Sequence, residues 1–154
     1  VKDLVPVDVW RGRYDEINDF ERLLTSNGTI LVKFFLHISP EEQSERLYAR
    51  EQDVEKSWKL SVGDWKERRY WDDYQEAYED ALGKCSTKQA PWYIVPSDRK
   101  WFRNLAVAER IVKTLRPYRQ QWVESLWEEG VTERAALEEY RSTKEGREAM
   151  NVED

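Results

Sequence analysis

This sequence is nearly empty of the residues that build common metal and redox sites. Among 154 residues it has one cysteine, Cys85, one histidine, His37, and one methionine. A single cysteine excludes an intrachain disulfide and fits a reducing, cytoplasmic compartment. One His and one Cys cannot supply the clustered ligands of a zinc site, so no metal ligand is assigned. Neither residue has a sequence neighbour that would make a nucleophile–base pair. A phosphate-cradling loop is missing too. A P-loop needs two glycines five apart, then Lys and Ser/Thr, so that backbone N–H groups wrap the phosphates. The only Gly-Lys pair, Gly83-Lys84, is followed by Cys85, and Tyr78 occupies the earlier glycine position. No apolar run approaches the length that spans a bilayer, and there is no signal-peptide pattern. Internal repeats and low-complexity segments are absent.

Aromatic residues are plentiful. Eight Trp, eight Tyr and four Phe help bring the hydrophobic share to 40%, which excludes full-length disorder. The net charge of −6 is uneven. Residues 1–123 hold 21 Lys+Arg and 21 Asp+Glu, whereas residues 124–154 hold 4 and 10. A neutral body with an acidic tail argues against duplex DNA or an anionic membrane as partner. It leaves room for a local anion site.

The segment Val1-Lys2-Asp3-Leu4-Val5-Pro6 has no Met and reads as the end of a preceding element. A helix follows, with Asp8 as N-cap and apolar residues at Trp10, Tyr14, Ile17, Phe20 and Leu24; Asn27-Gly28 stops it. Residues 29–38 are β-rich and almost continuously apolar, the pattern of a strand covered on both faces. Ser39-Pro40-Glu41-Glu42 places Ser at N-cap, Pro at N1 and Glu at N3, a capping box that opens a helix to about Arg50. Residues 51–60 are polar and aperiodic. Ser61–Asp64 caps a longer helix to about Leu82, ended by Gly83. Trp92-Tyr93-Ile94-Val95 is a short buried strand between Pro91 and Pro96. Asp98 starts a helix that Pro117 ends. The rest is helical, with a break at Gly130, a new cap at Thr132 and fraying over the last eight residues. The class is therefore α/β, and two strands do not make a sheet alone. The expected fold is the C-terminal half of a larger three-layer α/β/α domain, helix-rich, with a parallel two-strand remnant.

Two stretches carry candidate chemistry. Arg46, Arg50, Lys56, Lys59, Lys66, Arg68 and Arg69 are seven cations between positions 46 and 69. Guanidinium forks bind phosphate oxygens bidentately and Lys adds point charge. On composition alone, the five interleaved acidic residues favour a solvated, salt-bridged surface over a phosphate site. The second stretch, Ser97–Asn104, follows a strand and opens a helix, with Lys100 and Arg103 one turn apart. Ligands of open α/β sheets collect at that edge. The alternative there is a helix start with exposed cations. The carboxylates Asp72, Asp73, Glu76, Glu79 and Asp80 read mainly as a solvated helix face.

Several blocks together carry a resemblance. They are Phe34-Phe35-Leu36-His37-Ile38-Ser39, Glu41-Glu42-Gln43 with Arg46 and Arg50, and Trp58-Lys59-Leu60-Ser61 with Asp64, Glu67-Arg68 and Trp71-Asp72-Asp73-Tyr74. To these add Ala90-Pro91-Trp92-Tyr93-Ile94-Val95-Pro96 and Asp98-Arg99-Lys100-Trp101-Phe102-Arg103-Asn104-Leu105. In this order and spacing, from about residue 3 to 116, the sequence resembles the polyphosphate kinase 2 family. The resemblance implies a P-loop kinase-like α/β/α domain over residues 1–116, with a mobile helical lid at about 50–70 and a charged helical extension over 117–154. It implies phosphoryl transfer between inorganic polyphosphate and nucleoside mono- or diphosphates, with Mg²⁺, in a homo-oligomer. It makes Arg50 the candidate catalytic cation, and Arg46, Lys59, Arg68, Lys100 and Arg103 candidate phosphate or nucleotide ligands. The family's phosphate loop, with its Lys and metal-binding Asp, and its later Asp-Arg pair precede the matched segment. They are not in this chain, which on that reading does not catalyse alone. The competing expectation is a non-catalytic split or degenerate relative, working in assembly through exposed Trp122 and Trp127.

Overall fold

The computed structural model describes residues 1–2 and 4–150, with Met150 described in its backbone only. The first predicted helix is two: α1 (Val7–Arg11) and α2 (Arg13–Ser26), which share Gly12 as a joint. Asp8 lies inside the first turn of α1, and Pro6 holds the N-cap position. Gly28 ends the segment at φ +82°, a conformation that costs glycine little and other residues considerably more. Strand β1 is Lys33–His37, half of the apolar run that suggested it.

Helix α3 (Pro40–Glu51) begins where the sequence predicts, with the Ser39 side chain accepting the Glu42 N–H. A 3₁₀ turn (Val54–Lys59), helix α4 (Val62–Glu67) and a second 3₁₀ turn (Arg68–Tyr70) lead into α5 (Trp71–Lys84). The single helix expected from Ser61 to Leu82 is thus interrupted at Arg68–Tyr70. Gly83 does not stop α5: an exposed helical glycine costs only about 1 kcal/mol, and the helix closes at Cys85 instead. Strand β2 (Trp92–Pro96) and α6 (Lys100–Leu115) complete the βα unit.

β1 and β2 form a parallel pair, with Lys33 opposite Trp92 and His37 opposite Pro96. The register is continued by the Ser97 N–H, which donates to the His37 carbonyl at 2.7 Å. Among the described residues the buried apolar side chains are Cys85, Ala90 and Val95. At the N-terminal end of the strands, Lys33 Nζ donates to both Glu21 oxygens at 2.7 Å and to the Cys85 carbonyl at 2.6 Å. Its ammonium also lies 4.9 Å from the Trp92 ring centroid. Ile94, in mid-strand, is 62% exposed, whereas parallel strands are ordinarily covered on both faces.

The chain divides into two compact units, Val1–Glu109 and a second that begins at Arg110. The second holds the end of α6, a 3₁₀ turn (Arg116–Tyr118), α7 (Arg119–Ser142) and α8 (Lys144–Met150). Gly130 does not break α7. One glycine cannot outweigh the cooperative helix on either side of it. Thr132 is consequently no cap, and its hydroxyl donates to the Glu128 carbonyl at 3.0 Å. The cap of α8 is Thr143, which accepts the Gly146 N–H at 3.0 Å. Gly146 is tightly approached: a Cβ there would lie 2.0 Å from the Tyr140 carbonyl oxygen. The fraying expected of the last eight residues falls partly on 151–154, which lie outside the described residues; 147–150 are helical.

Candidate functional site

Two strand-to-helix turns meet at the C-terminal end of the sheet. The turn after β1 carries Ser39, and the turn after β2 carries Ser97 and Asp98. Asp98 does not cap α6; its Oδ1 accepts the Ser39 N–H at 2.8 Å. This takes the role the capping box would have given Glu42, so only half of that box forms. Glu42 turns to Arg46, accepting from its Nε at 2.7 Å. Arg46 Nη2 in turn donates to the Ser97 carbonyl at 2.6 Å and the Asp98 carbonyl at 3.4 Å. Arg46 is a half-buried clamp between the two turns, with its guanidinium committed to protein acceptors.

The 53–70 segment forms an insert between α3 and α5, held against α3 through the side chains of Arg50, Trp65 and Arg68. Arg50 Nη1 donates to Asp64 Oδ2 at 2.9 Å and to the Lys59 carbonyl at 3.4 Å. Trp65 Nε1 donates to Glu51 Oε1 at 2.7 Å, and its ring packs on Tyr48 at 4.7 Å between centroids. Arg68 Nη1 donates to Gln43 Oε1 at 2.7 Å and to the Pro40 carbonyl at 3.0 Å. Arg50, Glu51, Ser61, Asp64 and Trp65 line a cavity of about 400 Å³. On the outer side of the insert Lys59 Nζ lies 4.7 Å from the Trp58 ring centroid, and Trp58 is 78% exposed.

The remaining candidates sit at the start of α6. Lys100 is exposed, and Arg103 donates from Nε and Nη2 to Asn104 Oδ1 at 3.1 and 2.8 Å. The structure thus gathers Arg50, Lys59 and Asp64 at the insert. It links Arg46, through Ser97 and Asp98, to the turn that precedes Lys100 and Arg103. Asp64, Gln43 and Asp98 were missed as site residues by the sequence reading. Asp64 and Asp98 looked like helix caps, and nothing local distinguishes a cap from a long-range acceptor.

Beside the insert, Glu67 accepts from Lys2 Nζ at 2.7 Å and from the Tyr74 hydroxyl at 2.9 Å. The Lys2 hydrogen bond first, and the Tyr74 bond second, hold the Glu67 carboxyl below the usual carboxylate range. The same bonds raise the Lys2 ammonium and the Tyr74 phenol. Burial pushes the Cys85 thiol up, so it is not a primed nucleophile. Among the described residues no group of three or more His, Cys, Asp or Glu is arranged to hold a metal ion. No set of ligands for Mg²⁺ is assigned among these residues, and no step is routed through it. No helix among the described residues is long and apolar enough to cross a membrane.

Comparison with known proteins defines the class. The family model of polyphosphate kinase 2 matches residues 1–122. The chain belongs to the polyphosphate kinase 2 family, and its α/β architecture is a partial P-loop kinase-like fold. It is 49% identical over 122 residues to the AMP/ADP-polyphosphate phosphotransferase of Meiothermus ruber, covering 79% of this chain and 46% of that protein. Over 108 residues it is 51% identical to an uncharacterized protein of Leptolyngbya boryana, covering 70% of this chain and 79% of the relative. The crystal structure of polyphosphate kinase 2 from Arthrobacter aurescens TC1 superposes with a TM-score of 0.68 at 48% identity, over 71% of this chain and 39% of that one. The chain thus spans less than half of the Meiothermus and Arthrobacter proteins.

Proposed function

We propose that this chain is part of a polyphosphate-dependent nucleotide phosphotransferase and supplies its cationic lid. The whole enzyme would move phosphoryl groups between inorganic polyphosphate and AMP, ADP or GDP in the cytoplasm, as a homo-oligomer. The observation that carries the reading is the insert itself. Arg50, in the last turn of α3, and Lys59, on the insert, stand at one place where a few polar contacts attach the insert to α3, within a chain of this family. Phosphoryl transfer is mainly positioning and charge neutralisation, and a cationic lid that excludes water supplies both. Arg50 is the cation at the transfer site. Lys59, Lys100 and Arg103 attract polyphosphate or nucleotide phosphates. Arg68 and Arg46 contribute chiefly by holding the insert and the two turns in place. Residues 1–116 form the kinase part and 117–154 an extension. Phosphate cradle and metal ligands have to come from outside these 154 residues, so the chain alone is inactive.

The test is ATP formation from ADP, polyphosphate and Mg²⁺ by the full chain, by Arg50→Ala, and by each after addition of the preceding, P-loop-bearing half of a family relative. No turnover alone, and turnover restored by the added half but not in Arg50→Ala, is expected. Turnover by the chain alone, or restored turnover that ignores Arg50, overturns the assignment. A second reading, a non-catalytic assembly module, is favoured by one observation. Leu126 and Trp127, 67% and 70% exposed on α7, lie beyond the last residue of the family match. That reading predicts silence even with the added half.

A further inference from the structure

The cation that faces the insert from α3 already has an anion. Arg50 is the proposed transfer-site residue, and its Nη1 is held at 2.9 Å by Asp64 Oδ2. Both side chains are partly open to solvent, at 32% and 43%, and both line the same cavity of about 400 Å³. The Asp64 carboxylate therefore stands where a phosphate oxygen would meet that guanidinium. Asp64 is also well placed to fasten the insert. It lies in the first turn of α4, where Ser61 caps the helix by accepting the Gly63 N–H at 3.1 Å. An Arg50–Asp64 bond thus ties α4 to the last turn of α3. We propose that Asp64 is a built-in counter-ion for Arg50, which polyphosphate must displace, loosening α4 on α3 as it binds while Trp65 keeps its contacts to Glu51 and Tyr48.

This rests on the proposed function, since it names what the same site does before substrate arrives. Two physical consequences follow. A carboxylate beside a polyanion site lowers affinity, because it repels the incoming charge and occupies the donor. An ion pair this exposed is weak, on the order of 1 kcal/mol or less, so displacement is easy and reversible. Asp64 is a positioning residue here, acting through Arg50 rather than on the substrate.

The experiment is a titration of inorganic polyphosphate into the full chain at low ionic strength, followed by tryptophan fluorescence. It is run on the native protein, Asp64→Asn, Arg50→Ala and the double variant, with circular dichroism confirming an unchanged fold. Asp64→Asn is expected to bind about fivefold more tightly, the equivalent of one exposed ion pair. The gain should vanish in the Arg50→Ala background. Amides of residues 62–67 should exchange hydrogen faster in unliganded Asp64→Asn than in the native chain. If the native chain binds and Asp64→Asn binds no better, the counter-ion role is overturned while the lid reading stands. A gain that persists without Arg50 is a general charge effect and also overturns it. Unchanged amide exchange removes the fastening role. If the native chain binds no polyphosphate at all, the lid reading itself falls, and the counter-ion with it.

Discussion

Lys33 and Arg46 sit at opposite ends of the parallel strands, whereas Arg50, in the last turn of α3, and Lys59, on the insert, meet where the insert folds back on α3. All four are cations in a neutral body, and the two pairs are treated differently. Lys33 is 12% exposed and satisfied by two carboxylate oxygens and a carbonyl. Arg46 is 27% exposed and bonded to one carboxylate and two carbonyls. Arg50 has a single carboxylate and a long contact to a carbonyl, and exposed Lys59 rests on an aromatic ring. The difference teaches that a count of basic residues says little about anion binding. What matters is how many fixed acceptors each cation meets and whether water can replace them. The sheet cations are held by fixed acceptors, whereas Arg50 and Lys59 meet fewer of them.

The largest test of this contrast is at Lys33. Lys33→Ala leaves the Glu21 carboxylate buried without its partner, and should cost about 3 kcal/mol in urea unfolding. The double change Lys33→Met with Glu21→Leu should recover most of that loss. A cost below 1 kcal/mol for the single variant would break the distinction between the two sets.

Next is Arg46→Ala, which orphans the carbonyl of buried Ser97 and frees Glu42. With part of the guanidinium in solvent, a loss of about 2 kcal/mol is expected. Arg46→Lys should not restore it, because an ammonium cannot reproduce the fork that spans Glu42 and Ser97. Equal stability of the Lys variant would show that charge alone holds the two turns.

Arg50→Ala should reverse the pattern. Stability changes by no more than about 1 kcal/mol, while polyphosphate binding falls roughly tenfold, as expected of a charge-assisted phosphate contact. A large stability loss would move Arg50 into the structural set.

The smallest effect is on pH dependence at the Lys2–Glu67–Tyr74 group. Glu67 has its folded carboxyl depressed by Lys2 and Tyr74. Its contribution is present above the ordinary carboxylate value and is lost as pH falls through the depressed one. Lys2 and Tyr74 are raised, so their contribution is full below their ordinary values and is lost as pH climbs through the raised ones. Glu67→Gln should flatten both limbs of a stability–pH curve measured by denaturant titration. An unchanged acid limb would show that the bond does not persist in solution.

Much of the fold was legible because its signals are local. Ser39-Pro40 announces the start of α3, since a hydroxyl acceptor and a fixed φ act on the next turn only. Gly28 stops α2 by its own backbone conformation. The apolar runs around Phe35 and Ile94 mark both strands. Family membership was legible for a related reason, as ordered blocks of unusual residues keep their spacing. Local signals failed where cooperativity or distance decides. Gly130 looked like a break, yet the surrounding turns of α7 carry it. Asp98 looked like a cap, yet its partner is Ser39, 59 positions away.

By itself, then, the sequence determined the element types, most of their starts, the family and the list of candidate cations. Only the tertiary structure decided which of those cations are spent. Arg46 meets Ser97 because two strand ends lie side by side, and Lys33 meets Glu21 and Cys85 because three elements converge on one end of the sheet. Arg50 meets Asp64 because the insert folds back on α3. Hydrogen-bond acceptors are assigned by proximity in space, and proximity between distant residues is set by packing, which no local pattern of side chains encodes.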